Sequence, residues 1–202
     1  MSAQQIFTSA IAVAGSVLRQ RGFRRRGSKL TLMGEEVVSL IEFQRSRGST
    51  AAHLTFAINY GVAVLSLAPA QGVDTAKLWW TECHWRARVS GKDGDEAWWP
   101  VRDDDDPDQL AARLTHVVQQ EVLPSLEEKQ READLVTLWT TGKSPGLVEA
   151  QRLLFLGQLL HRARRQAEAV QTRVELEHLP ENPFTLRAAQ KLKELEERAG
   201  RG

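Results

Sequence analysis

The sequence predicts an α+β fold in which an N-terminal helix packs on a mostly antiparallel sheet and a helical C-terminal region follows. Three patterns predict it: helical spacing of the apolar residues in 3–20, two-residue alternation between 37 and 60, and no strand pattern beyond Leu147. The chain has 202 residues, 42% hydrophobic and 26% charged, which is enough to bury a core and an ordinary globular composition.

The first helix is expected over residues 3–20, and Gly22 is its expected stop. No basic residue precedes its apolar stretch, and Thr8 and Ser9 interrupt it, so we expect a helix of the folded protein rather than a secretory signal. The apolar positions that carry the helical spacing are Ile6, Ala10, Val13, Val17 and Leu18.

The cellular setting is predicted from two features. No apolar run approaches the roughly 18 residues that a membrane span needs, so we expect a soluble protein with no membrane contact. Cys83 is the only cysteine, which excludes an intramolecular disulfide and any zinc site built on several thiolates. A reducing, cytoplasmic location is therefore expected.

Four strands follow the first helix. Segments 37–46 and 52–60 are rich in β-branched and aromatic residues and are bounded by glycines. Segment 81–90, "TECHWRARVS", alternates between a mostly apolar and a wholly polar row, and 97–102 is a further strand. Pro100 cannot donate to a ladder, so the last strand should lie at a sheet edge.

A run of four aspartates, 103–106, precedes Pro107. Aspartate is a good N-cap, proline suits the first helical position, and acids favour the positive end of the helix dipole, so a helix should begin here. A divalent cation site is the alternative, but the run has no spaced partner ligand.

Pro124 should end or kink that helix. Ser125 and Glu128 have the spacing of a capping box, which predicts that a second helix restarts at once and runs to about Gly142.

The rest of the chain should be helical. Asn182 and Pro183 mark the start of a last helix that runs to Gly200. We therefore expect two units, an α+β domain over 1–142 and a helical appendage over 143–202. The apolar stripe ahead of the last helix consists of Leu153, Leu156, Leu160, Ala163, Ala167 and Val170.

A set of short motifs follows in fixed order along the chain: Leu18, "GFRRRG" at 22–27, "QRS" at 44–46, "FAINYGV" at 56–62, "CHWRAR" at 83–88 and "LP" at 123–124. Together they resemble the bacterial domain-of-unknown-function family 4304. The likeness covers roughly residues 5–126 and excludes the helical tail. It implies an α+β domain of bacterial origin, and some similar small domains are immunity proteins beside toxins.

The polar row of 81–90 is the first candidate binding surface. If the strands share one sheet, their polar side chains could form a hydrogen-bonding face that receives an anionic or polar partner through arginine. The alternative is a solvated face in which Glu42 and Glu82 pair with the arginines. The candidate residues are Gln44, His53, Asn59, His84, Arg86 and Arg88.

The basic segment 19–29 is the second candidate. It holds six Lys or Arg residues and no acid, and Arg24 and Arg26 are the binding residues we name in it. Phosphate contacts by this segment would make the chain a nucleic-acid-binding protein. The net charge of +1 favours a solvated basic turn instead.

Five of the six tryptophans crowd around the later strands. Neighbouring residues of a strand face opposite ways, so at least one ring of each adjacent pair should lie off the main core. Such a ring is either packing elsewhere or an interface anchor. The five are Trp79, Trp80, Trp85, Trp98 and Trp99.

No catalytic constellation is evident. Cys83 and His84 are adjacent in an expected strand and would point to opposite faces, so they cannot share a proton. The histidines lack metal-ligand spacing and no phosphate-binding glycine loop occurs. We expect no catalytic residue, metal or cofactor, and favour a non-catalytic protein-binding module, with immunity to a toxin or a partner subunit as its role. The alternatives are nucleic-acid binding or a small enzyme for an anionic substrate.

Overall fold

A computed structural model describes residues 1–50, 53–89 and 98–200. Helix α1 spans Ala3–Gln20, as predicted, and Ser2 caps it by accepting a hydrogen bond from the Gln5 amide. Gly22, with φ of 89°, turns the chain out of the helix in a conformation that favours glycine.

Within the described residues, six strands form one antiparallel sheet in the order β1-β2-β3-β4-β5, and β6 also pairs with β4. Proline-containing β6 lies at an edge beside β5, which agrees with the expectation from Pro100. The α+β prediction is confirmed. The strands are β1 Arg24–Arg26, β2 Lys29–Met33, β3 Val37–Arg45, β4 His53–Val64, β5 Trp85–Arg88 and β6 Trp99–Arg102.

One face of the sheet carries the main core. Phe43 and Phe56 are fully buried there, and Phe7 of α1 lies 4.8 Å from Phe56 between ring centroids. Apolar burial on this face supplies most of the stabilisation of the domain. The other face is covered in part by residues 65–84, which build a smaller apolar cluster with Leu78 and Cys83 at its centre.

Segment 81–90 departs from the prediction. Only Trp85–Arg88 forms a strand, and Trp80–Glu82 is a single 3-10 turn. Because the turn breaks the alternation, Cys83 and Trp85 pack in different clusters, Cys83 in the smaller one and Trp85 in the main core. Ser90 and the first residue of the expected strand 97–102 lie outside the described residues.

Helix α2 spans Pro107–Val117, with Asp106 as N-cap and Pro107 in its first turn, as predicted. It continues through a π-helical turn, Val118–Val122, into α3, Leu123–Glu127. Pro124 has no amide hydrogen for an i−4 bond, and the π turn directly before it absorbs the change in hydrogen bonding.

The expected capping box at Ser125 is wrong. Ser125 lies inside α3, and the next helix, α4, begins only at Glu132 and ends at Thr140. Its N-cap is Arg131, whose amide donates to Asp134 at 3.1 Å. The serine does not cap a new helix, because the chain is already helical at this point. Pro124 and Ser125 lie in the first turn of α3, a position that proline suits.

Three helices form the tail: α5 Glu149–Arg162, α6 Gln166–Glu177 and α7 Pro183–Ala199. Asn182 caps α7, as predicted. The single apolar stripe expected over 153–170 is divided between α5 and α6. The chain turns at Arg164, which has φ of 58° and is preceded by no glycine or proline signal.

The tail packs on the sheet domain. Phe155 of α5 contacts His84 edge-on, with 4.9 Å between ring centroids, and also lies against Trp139 of α4. Residues of both expected units belong to one apolar cluster. No described helix is long and apolar enough to cross a bilayer.

Candidate functional site

A row of polar residues crosses the partly open face of the sheet. Lys29 of β2 is paired with Glu42 of β3, Glu42 with Asn59 of β4, and Asn59 with Arg88 of β5. Residues directly opposite each other in a ladder project to the same face, so strand pairing alone places these four side chains in line.

Three of the predicted binding residues form one hydrogen-bonded chain in this row. The Asn59 amide nitrogen donates to the Gln44 amide oxygen at 2.6 Å, and the Arg88 Nε donates to the Asn59 oxygen at 2.8 Å. Asn59 is fully buried, whereas Gln44 is exposed. The Arg88 guanidinium also lies over Trp80 and Trp98, 5.5 and 5.3 Å from the ring centroids.

Arg86 has structural partners. Its Nε donates to the Gly146 carbonyl oxygen at 2.7 Å, and its Nη1 donates to the carbonyl oxygen of Thr81. Burial lowers the pKa of the guanidinium from its usual value. These contacts connect β5 to the loop that leads into the tail.

His84 does not lie on the open face where the alternation of 81–90 would place it. It is fully buried at the end of β4, where its Nδ1 accepts a hydrogen bond from the Val64 amide at 2.9 Å. Burial lowers its pKa to about 4. His84 therefore caps the end of β4 and does not join the polar row.

His53 is exposed at the far end of β4, where it pairs with Arg102 of β6. It is six residues from Asn59 along the same strand, which corresponds to about 20 Å. The structure therefore does not bring His53 together with the other candidates.

Cys83 and His84 lack the properties of a nucleophile and base. The Cys83 thiol is buried, which raises its pKa, and its Sγ lies 3.9 Å from the Trp79 carbonyl oxygen. Burial lowers the pKa of His84, and its Nδ1 already accepts a hydrogen bond from the Val64 amide. Within the described ranges, no group of three or more His, Cys, Asp or Glu residues could hold a metal ion.

The other two predicted residues, Arg24 and Arg26, line a groove of about 460 Å³, which we call the basic groove. It lies between the β1–β2 hairpin and the loop 76–79. Its remaining walls are Gly27, Ser28, Lys29, Thr31, Glu42, Ala76, Lys77, Leu78 and Trp79.

Among the residues that the structure describes, four cations and one acid line the basic groove. Lys77 lies 3.8 Å from Asp74, but no ion pair joins Arg24 or Arg26 to a carboxylate in the described part of the chain. Glu42 is nearly buried at the groove base. The groove therefore offers a net positive surface to an anionic group.

Trp79 forms an aromatic wall of the basic groove. Its side chain is 57% exposed, and the Lys29 ammonium lies 3.1 Å from its ring centroid. Lys29 also donates to the Leu78 carbonyl oxygen at 3.2 Å. The cation–π contact and the hydrogen bond together hold the loop 76–79 against Lys29 of the sheet.

Sequence reasoning missed Lys77 and Trp79 as partners of the basic segment. They lie about fifty residues beyond it, in a loop whose path depends on tertiary contacts. The available signal was the adjacent pair Trp79 and Trp80, of which one ring was expected off the main core. Trp80 turns inward to donate to the Tyr60 carbonyl oxygen at 3.2 Å, and Trp79 turns outward.

Comparison with known protein families shows where the chain belongs. A family model described as Domain of unknown function (DUF4304) matches residues 14–128, which is more than half of the chain. The matched region runs from within α1 through the sheet and α2 to the end of α3, so it contains the polar row and all of the described residues that line the basic groove. No curated protein and no solved structure matches the chain.

Proposed function

Since the chain belongs to the DUF4304 family, whose description assigns no activity, we propose its function from its own residues: it is a non-catalytic module that binds an acidic segment of a partner protein in the basic groove. The observation that carries this proposal is the excess of cations in the groove, where Arg24 and Arg26 have no carboxylate partner among the described residues.

The position of β1 supports an extended segment as the bound form. β1 is the terminal strand of the sheet and has three residues. A partner strand can add to such an edge through main-chain hydrogen bonds, while alternate side chains meet the groove. Arg24 and Arg26 are two positions apart and project to the same face, which matches acidic residues at every second position of the added strand.

Arginine side chains recognise acidic residues by their geometry as well as by their charge. Its planar guanidinium presents a fork of donors that fits a carboxylate. Trp79 adds a large apolar surface beside the cations, and tryptophan and arginine dominate the residues that contribute most to binding at protein interfaces. A toxin or a companion subunit would satisfy the proposal where its contact surface is acidic.

Nucleic acid is the competing partner for a basic groove with an exposed tryptophan. The net charge of +1 is low for a chain that binds a phosphate backbone, because such binding gains its affinity from many cation contacts. Lys29 already occupies one face of the Trp79 ring, which reduces the surface on which a base could stack. The groove chemistry therefore favours a peptide.

The test is a binding titration with a fluorescent peptide of alternating glutamate and threonine. The full chain should bind it saturably, and the double variant Arg24→Glu, Arg26→Glu should weaken binding by at least about tenfold. The matched control is Arg187→Glu, an exposed arginine on α7 outside the groove. It should bind as the unaltered chain does.

Two further ligands decide between classes of partner. The same peptide with glutamine in place of glutamate should bind at least about tenfold more weakly, because the charge supplies the recognition. Single-stranded oligothymidylate should bind more weakly than the acidic peptide at about 0.15 M salt. The proposal fails if the acidic peptide does not bind, or if the oligonucleotide binds more tightly and loses its affinity in the double variant.

A further inference from the structure

A second cavity, of about 410 Å³, lies where the tail meets the sheet domain. Ser66 and Leu67, in the turn after β4, form one side, and helices α5 and α7 form the other. Its volume lies in the range of small-molecule sites and is too small for a folded partner. The lining residues on the helices are Gln158, His161, Arg162, Lys191, Leu195, Arg198 and Ala199.

The described wall of the cavity carries positive charge. Arg162, Lys191 and Arg198 line it, and none of the described residues that line it is Asp or Glu. Arg162 pairs with Glu132 of α4 at 3.4 Å. In the portion of the chain that the structure describes, no ion pair neutralises Lys191 or Arg198, so two of the three cations are available to an anion.

Two buried polar groups in the wall lack partners. Gln158 is 5% exposed and His161 is 9% exposed. The Gln158 Oε1 and the His161 Nε2 have no hydrogen bond in the described structure. The His161 Nδ1 lies 2.9 Å from the Gln166 amide oxygen, so Nδ1 carries the proton in the neutral ring and Nε2 is an acceptor.

Unsatisfied acceptors at this depth are costly. A buried acceptor without a donor gives up the hydrogen bonds that water would make to it in the unfolded chain. Native proteins satisfy most such groups, and an exception needs an explanation, of which a bound ligand or an ordered water is one. Leu67 and Leu195 complete the wall with apolar surface.

We propose that this cavity binds a small organic anion with an apolar body. A carboxylate or phosphate group would lie between Lys191 and Arg198, and the apolar body would lie against Leu67 and Leu195. An N–H or O–H group of the ligand would donate to Gln158 after a small movement of that side chain. Neither the basic groove nor the proposed partner contributes a residue, so this site stands independently of the proposed function.

The probe for the test is 8-anilinonaphthalene-1-sulfonate, which combines an anionic group, aromatic rings and one N–H donor. Its fluorescence rises in an apolar site, and calorimetry on the full chain gives the stoichiometry. We expect one saturable site per chain. Lys191→Glu and Arg198→Glu should each weaken binding by at least about tenfold, because each replaces an attraction with a repulsion.

Matched controls separate the site from general dye adhesion. Lys193→Glu changes the same charge at an exposed position of the same helix that does not line this cavity, and should leave the affinity unchanged. The uncharged analogue N-phenyl-1-naphthylamine retains the rings and the N–H and should bind at least about tenfold more weakly. Several weak sites, equal binding of the two dyes, or unchanged affinity in both charge-reversal variants would each refute the proposal and leave a water-filled cavity.

Discussion

Arg86 Nε donates a hydrogen bond to the carbonyl oxygen of Gly146 at 2.7 Å, and this bond connects β5 of the sheet to the loop that precedes α5. Gly146 has φ of 76°, and a Cβ there would lie 2.6 Å from the Arg86 backbone oxygen. The loop can approach β5 so closely only because residue 146 is glycine.

Arg86→Ala should therefore reduce stability. A hydrogen bond to a charged donor contributes about 1.5 to 3 kcal/mol, and its loss leaves the Gly146 carbonyl without that donor. Urea unfolding should show a decrease of this size in the free energy of unfolding. Arg187→Ala is the matched control and should change it by about 0.5 kcal/mol or less. Equal effects of the two substitutions would show that the Arg86 bond is not structural.

Gly61→Ala should be strongly destabilising because a Cβ at this position would clash with the neighbouring chain. Gly61 is paired with Arg86 across the β4–β5 ladder, and a Cβ at Gly61 would lie 2.5 Å from the Trp85 carbonyl oxygen and 2.9 Å from the Cys83 Cβ. Backbone atoms must move to relieve this, at a cost of about 1 to 3 kcal/mol or more. Gly48→Ala, where the nearest atom is a serine hydroxyl at 3.7 Å, is the control and should melt near the unaltered temperature.

The division into units 1–142 and 143–202 remains a prediction with a direct test. A chain that ends at Gly142 should retain a cooperative thermal transition, because the sheet, α1 and α2 supply a core of their own. Its midpoint should fall, since removal of Phe155 exposes His84 and Trp139. A non-cooperative melt or an insoluble product would show that the tail is part of one folding unit.

Acid should destabilise the fold through His84. Burial lowers its folded pKa to about 4 from 6.5, so the unfolded chain binds a proton at a higher pH than the folded chain does. The stabilisation is complete above about pH 6.5 and is lost as the pH falls toward 4, by about 3 kcal/mol in total. Urea unfolding across this range measures the slope.

His84→Gln should reduce that slope, because an amide oxygen can accept from the Val64 amide but does not titrate. His53→Gln removes an exposed imidazole and should leave the slope unchanged. Equal slopes in the unaltered chain and the His84 variant would contradict a role for this residue in the acid response.

The sequence predicted the elements that have strong local signals. Helix α1, strands β3 and β4, and the starts of α2 and α7 each have their own period or cap, and the structure confirms them. The turn at Arg164 was not predictable because the apolar stripe of 153–170 passes through it without a glycine or proline. The Ser125 box failed because a capping motif has no effect inside a helix that is already formed.

The candidate site was predictable only where strand pairing determines it. Gln44, Asn59 and Arg88 come together because alternation places them on one face of neighbouring strands. Arg24 and Arg26 line a groove only because the loop 76–79 forms its other wall. Tertiary contacts with Lys29 hold that loop in place. No local pattern in the sequence encodes that contact.

The most direct test of the acidic-segment proposal is a nitrogen-15 NMR titration of the full chain with the glutamate–threonine peptide. The chain has six tryptophans, each with one indole N–H signal, and Trp79 lines the basic groove while Trp139 lies buried against the tail. We predict that the Trp79 indole signal and the amides of Arg24–Arg26 shift on addition of peptide, and that the shifts decrease in about 0.5 M salt. Trp139 should not shift. Unchanged signals at Trp79 and β1, or shifts confined to the tail, would contradict the proposal.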